Sequence, residues 1–260
     1  MDKYDYTSSQ IVNSLKEIGL KNGDNIFVHS NLGYFGILKD ANSKEDYWKI
    51  FKDSIFKVIG NDGTLIVPTF TYSFCWNHDF DLNSTPSIVG MFSEMVRTDL
   101  NSVRSEDGNF SVSAIGKNAI YFTENAPIHS FGINSFWDRF IKKNGKICCF
   151  NVGLVYNTLI HYVEKLLNVP YRYDKLFSGI FIKNGLKENR KNIHFVRDLN
   201  DPKTLPDLTE LNKIAYGSKK AKDSMLGKGQ ISCIDSKNVV SIITKELKKN
   251  PAFLIKNTVS

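Results

Sequence analysis

Thr158, His161 and Glu164 stand three residues apart in the stretch NTLIHYVEKL, residues 157–166. At about 3.6 residues per turn, this spacing gathers all three within roughly a third of a turn on one side of a helix. Leu159, Val163, Leu166 and Leu167 fall on the other side, which is expected to bury. Three readings of the triad stay open on spacing alone. It can be a solvated polar face, with a His–Glu pair contributing about 0.2–0.5 kcal/mol. It can be a general base, since imidazole titrates near neutrality and a carboxylate one turn on orients the ring. Metal binding is the third reading and has little support, because Lys165 stands where a second histidine would complete a helical zinc motif.

A helix bearing such a triad needs a frame that aims it. The run KICCFNVG (146–153) reads as a buried strand leading into this helix, so the triad is expected at the C-terminal end of a sheet, where open α/β folds bind ligands. Upstream, helices are expected over 9–18, 44–59, 87–98 and 135–145, and strands over 25–30, 64–70 and 111–116. Their alternation predicts a layered α/β fold with a mostly mixed or parallel central sheet flanked by helices. Residues 71–86 read as a long irregular loop, and segments of that length in a compact domain are usually functional. The last third, 176–260, is less regular: a strand at 192–198 and helices at 206–220 and 238–249. No linker or repeat divides the chain, and one domain over 1–260 is expected.

The chain carries 42% hydrophobic and 23% charged residues, ordinary globular values that exclude disorder as the default. Cys75, Cys148, Cys149 and Cys233 show no disulfide framework spacing, the N-terminus MDKYDYTSSQ lacks a secretory pattern, and no apolar run is long enough for a bilayer. The expectation is a reduced, cytoplasmic protein without a membrane partner. A net charge of +7 favours anionic partners, yet no basic stripe with interleaved aromatics argues for nucleic acid. Cys75 and His78 form no second ligand pair, so no metal is expected.

Six segments in register resemble the aminoglycoside 3-N-acetyltransferase family: FVHSNLGYFG (27–36), DGTLIVPTF (62–70), FDLNSTPSIVGMFSEMVR (80–97), RSEDGNFSVSAIG (104–116), FGINSFWDRFIKKNGKICCFNVG (131–153) and TLIHYVEKLLNVPYR (158–172). They cover most of 25–175. The resemblance implies a CoA thioester donor, an amine acceptor and direct transfer without an acyl-enzyme. It makes His161 the base, Glu164 its orienting partner and Thr158 a donor to the developing oxyanion. It also implies CoA contacts at His29, Ser30, Asn31, Leu32 and Gly33, and at Ser105 and Ser111. Tyr72, Phe74 and Trp76 are expected to line the acceptor pocket or cap the core, with Asp107 and Phe110 beside the acceptor.

One departure bears on the acceptor. Drug-modifying members usually carry His-Pro where this chain has Asp107-Gly108, whereas relatives that acylate amino sugars for surface polysaccharide more often carry Asp, followed by Phe and Ser like Phe110-Ser111. The expected reaction is therefore acyl transfer from CoA to a nucleotide-linked amino sugar. The alternatives are aminoglycoside 3-N-acetylation and, from a different class, a non-catalytic basic module that binds polyanions.

Overall fold

The computed structural model describes residues 4–154 and 157–256. The N-terminal stretch read above begins outside them, at 1–3, and the domain expected over 1–260 runs past them at 257–260. The first half of the chain holds α1 (Ser8–Glu17), β1 (Asn25–Ser30), α2 (Lys44–Ile59), β2 (Thr64–Pro68), β3 (Phe80–Asp81), α3 (Met91–Arg97), β4 (Val103–Arg104), β5 (Val112–Gly116) and α4 (Ala119–Thr123). Then come α5 (Phe136–Lys142), β6 (Lys146–Phe150), α6 (Leu159–Leu166), β7 (Arg172–Lys183) and β8 (Leu186–Arg197). The chain closes with α7 (Thr209–Gly217), β9 (Ala221–Leu226), β10 (Gly229–Asp235) and α8 (Ser236–Lys249).

Among the described residues the main sheet has seven strands in the order β4-β5-β2-β1-β6-β10-β9. Its centre, β2-β1-β6, is parallel, and every outer pairing is antiparallel. The parallel strands all end at one edge, where Ser30 and Phe150 pair. Side chains alternate across a strand, and β1 shows what that decides. Ile26 and Val28 enter the core shared with α1 and α2, while Phe27 enters the opposite core with Trp137, Phe140, Leu159 and Val163. His29 follows Phe27 by two residues, and its ring lies edge-on 4.9 Å from that of Phe27. The period of two thus delivers an imidazole to the α6 side of the sheet edge.

A second sheet, β3-β7-β8, is built on a long antiparallel hairpin. Its turn is Asn184-Gly185, both with positive φ, the pairing a tight two-residue hairpin requires. The part of the chain expected to be less regular, 176–260, thus opens on this hairpin, and the strand expected at 192–198 is the end of a twelve-residue one. The 71–86 segment contains a 3₁₀ turn at Phe74–Trp76 and then β3. The helix expected at 87–98 begins only at Met91.

Candidate active site

The sheet edge hands the chain to α6 through a short loop. Buried Asn157 accepts the Leu159 N–H at 3.1 Å through Oδ1, which satisfies one of the helix's free amides. Leu159, Ile160 and Val163 then sink into the core, and Tyr162 donates to Asp138 Oδ1 of α5 at 3.1 Å. This anchoring fixes the rotation of α6, and with it the direction of His161.

The triad does not form a solvated face. Glu164 is 1% exposed, whereas Leu166, expected to bury, is 58% exposed. The reason is the chain after α6, which folds Tyr171 and Arg172 back over the polar side. His161 Nδ1 lies 2.8 Å from Glu164 Oε2, and the Tyr171 hydroxyl donates to Oε1 at 2.9 Å. Arg172 Nε lies 2.8 Å from Oε2, close enough for charge but not aligned as a hydrogen bond. Burial alone pushes the Glu164 carboxyl up. The His161 hydrogen bond and the Arg172 charge outweigh it and hold the group below the usual carboxylate value. An ionised, fully enclosed carboxylate therefore clamps one imidazole nitrogen and leaves Nε2 for chemistry.

His161 lines two cavities. The smaller, about 350 Å³, is bounded by His29, Ser30, Phe70, Val89, Thr158 and Ile160 among others. The larger, about 610 Å³, runs under the β7–β8 hairpin with Tyr72, Trp76, Phe110, Phe131, Phe177 and His194 in its walls. Tyr72, His161 and Pro206 belong to both. The two cavities therefore meet beside these side chains.

The model of the aminoglycoside 3-N-acetyltransferase family matches residues 27–248. The chain belongs to this family. A curated relative, aminoglycoside N(3)-acetyltransferase IX of Micromonospora chalcea, is 25% identical over 199 residues, 69% of either chain. Among solved structures, AAC-IIIb binary with CoASH is 21% identical with a TM-score of 0.80, over 94% of this chain and 97% of that one. AAC-VIa bound to sisomicin is 21% identical with a TM-score of 0.79, over 94% and 98%. These structures share the fold: the expected mixed α/β architecture is the observed one. By family the chain is a CoA-dependent N-acyltransferase with acyl-CoA as cosubstrate.

Within this family member, the residues expected to hold CoA divide. His29 and Ser30 face the smaller cavity beside Thr158, whose N–H approaches His29 Nε2 at 3.5 Å. Burial pushes the His29 imidazole down to about 3, so it is neutral. Asn31, Leu32 and Gly33 are not among the residues lining either cavity. The Asn31 N–H is taken by Phe150 O at 2.8 Å, Leu32 is a core side chain, and Gly33 is exposed on the turn Leu32–Phe35. Ser105 and Ser111 are buried away from both: Ser105 Oγ accepts the Val112 N–H, and Ser111 Oγ donates to Thr69 O.

The acceptor contacts divide as well. Tyr72, Trp76 and Phe110 line the larger cavity. Phe74 does not, because its ring fills the space that side chains at Gly108 and Gly179 would need, and it packs with Phe80 and Phe181. A Cβ at Gly108 would lie 2.5 Å from the Phe74 ring, so glycine at this position admits that ring. Asp107 is buried and braces its own loop, accepting from Asn109 N, Phe110 N and the Ser130 hydroxyl. Among the described residues no cluster of three or more His, Cys, Asp or Glu could hold a metal, and no helix is long and apolar enough to cross a membrane.

Sequence reasoning missed His194 and Arg104. The Cys75 N–H donates to Asn109 Oδ1 at 3.1 Å, which turns the Asn109 amide nitrogen toward His194 Nε2 at 2.7 Å. His194 Nε2 is therefore the acceptor, and burial keeps the ring neutral between Phe110 and Phe177. No spacing in the sequence signals this contact across 85 residues. Arg104 is buried too; its guanidinium donates to Thr85 O at 2.6 Å, Thr69 O at 2.9 Å and Ser111 Oγ at 3.1 Å, over the Phe80 ring. Burial pushes this group down to about 9. Arg104 pins the strand end that carries Tyr72. Arg104→Ala removes three hydrogen bonds from a buried cluster and leaves a cavity, so urea unfolding is expected to show a loss of about 2–5 kcal/mol.

Proposed function

We propose that this enzyme transfers an acyl group from a CoA thioester to the amine of an amino sugar by direct attack, with His161 as general base. The observation that carries the reading is the position of His161 at the junction of two cavities, with Nδ1 held by buried Glu164. The thioester belongs in the smaller cavity and the acceptor in the aromatic one. As the amine nitrogen bonds to the thioester carbonyl carbon, its proton passes to His161 Nε2. The C–S bond then breaks and CoA leaves as the thiolate. Thr158, on the wall of the smaller cavity, is placed to donate to the oxyanion; one such donor is worth about 2.7–4 kcal/mol.

The family description and the relatives' names make an aminoglycoside, such as the sisomicin named for AAC-VIa, the acceptor the comparisons support best. A nucleotide-linked amino sugar is the second reading, favoured by the net charge of +7, which suits anionic ligands better than a polycation. Thiol release from acetyl-CoA, assayed with sisomicin and separately with UDP- and dTDP-linked amino sugars, tests both. One class is expected to gain an acetyl mass with stoichiometric CoA release. Salt-sensitive polyanion binding with no thiol release would instead mark a binding module and overturn the reading.

A further inference from the structure

Among the described residues, Tyr72, His161 and Pro206 line both cavities. A thioester carbonyl held in the smaller cavity has to lie beside them if an amine in the larger one is to reach it. Negative charge then grows on the carbonyl oxygen and needs hydrogen-bond donors. The main chain of these three residues has none to spare. The Tyr72 N–H is taken by Asn109 O at 3.2 Å, the His161 N–H by Thr158 O at 3.2 Å, and Pro206 has no N–H. On the reading above, the His161 ring is occupied as the base. The donor left at the junction is the Tyr72 hydroxyl, on a half-buried ring, which makes no hydrogen bond among the described residues.

The chain after β2 holds this ring in place. A period of two carries Pro68, Phe70 and Tyr72 to the α6 side, where all three line the smaller cavity. Tyr72 then departs from strand geometry: its φ is +53°, in the left-handed region that bulky residues rarely occupy. Such a conformation persists where the surroundings enforce it, and it clusters at functional sites. Here the Thr71 and Ser73 amides donate to Asn109 O at 3.0 Å and Gly108 O at 3.1 Å, and the Trp76 amide donates to Tyr72 O at 3.1 Å. Phe110, Trp76 and Phe70 box the ring, with centroids 5.2, 5.8 and 6.3 Å away. Burial pushes the ionisation of the phenol up, so it stays a neutral donor.

We infer that Tyr72 is a further catalytic residue of the acyl transfer, its hydroxyl donating, with Thr158, to the thioester carbonyl oxygen as the tetrahedral intermediate forms. The inference rests on the acyl-transfer reading and adds a group from the chain after β2 to those that α6 supplies. No extra proton is required. The amine nitrogen bonds to the carbonyl carbon, its proton passes to His161 Nε2, the phenol O–H stays intact, and the C–S bond breaks to release CoA thiolate.

Tyr72→Phe keeps the ring and removes only the hydroxyl. The test uses the full chain with acetyl-CoA and, as acceptors, sisomicin, a UDP-linked and a dTDP-linked amino sugar. With the acceptor that wild type acylates fastest, the single-turnover rate of acetyl transfer is expected to fall about 10²–10³, as when one oxyanion donor is lost. Acetyl-CoA affinity by calorimetry and the acceptor KM are expected to stay within about threefold, because the oxyanion exists only beyond the ground state. Tm is expected to hold, since the hydroxyl leaves no partner behind. A rate within about threefold of wild type, or a loss carried chiefly by KM or acetyl-CoA affinity, overturns the role. A clear fall in Tm overturns it as well, by showing that the hydroxyl serves packing. Absence of CoA release by wild type with all three acceptors overturns the acyl-transfer reading itself, and this inference with it.

Discussion

His161→Ala is expected to lower kcat/KM for amine acylation by about 10²–10⁴, the contribution of a well-placed base. The loss should appear in kcat, with the dissociation constant for CoA nearly unchanged. The reasoning is geometric. Nδ1 is held at 2.8 Å by Glu164, so Nε2 is the ring nitrogen left to serve both cavities. The walls of the smaller cavity are otherwise apolar or hydroxylic, apart from the Asn157 amide and neutral His29. Among the described residues, His161 is the only imidazole that lines both cavities. Exogenous imidazole is expected to restore part of the activity, because the substitution vacates a ring-sized space open to both cavities. Steady-state kinetics with calorimetric titration of CoA separate the two effects. A variant within threefold of wild type, or one whose loss lies entirely in CoA affinity, would remove His161 from the role of base.

The part of this site that lies along one helix was legible from spacing; the part assembled by distant strands was not. Thr158, His161 and Glu164 follow from the helical repeat. The repeat also placed Leu166 inside, where it is exposed, and left open whether the side bearing Glu164 faced solvent. Periodicity reports which residues share a side of a helix, not what covers that side. Here Tyr171 and Arg172 cover it, and only the turn after α6 brings them back. The β7–β8 hairpin escaped for a related reason. Its strands are exposed over much of their length and show no clean alternation, so the usual strand signal is weak. Asn184-Gly185 was the signal available, and it marks the turn without revealing that the hairpin walls the larger cavity. His194 on that hairpin acquires its partner, Asn109, only through sheet and loop packing.

Glu164→Ala is expected to damage the fold and the turnover together. Its carboxylate is the shared partner of His161, Tyr171 and Arg172, and the Arg172 side chain is only 6% exposed. Removing one member of a buried ion pair leaves the other charge without compensation, at a cost of about 3–5 kcal/mol. For a chain of this size that corresponds to roughly 6–20 °C in Tm. Glu164→Gln keeps the shape and removes the charge, so it separates packing from electrostatics. The sign of the pH dependence follows from the depressed carboxyl. A group whose folded value lies below its unfolded one stabilises the protein above the unfolded value, about 4.3 for glutamate, and loses that contribution as pH falls through the folded value. The stability gap between wild type and Glu164→Gln, measured by urea unfolding, is therefore expected to be widest above about pH 4.3 and to close on acidification. A gap that stays constant over this range would mean that the negative charge does not hold the cluster together. Turnover then decides the remaining point. If Glu164→Gln lost stability but kept kcat, the orientation of His161 would need only a hydrogen-bond acceptor on Nδ1, which the amide oxygen still offers, and not the negative charge.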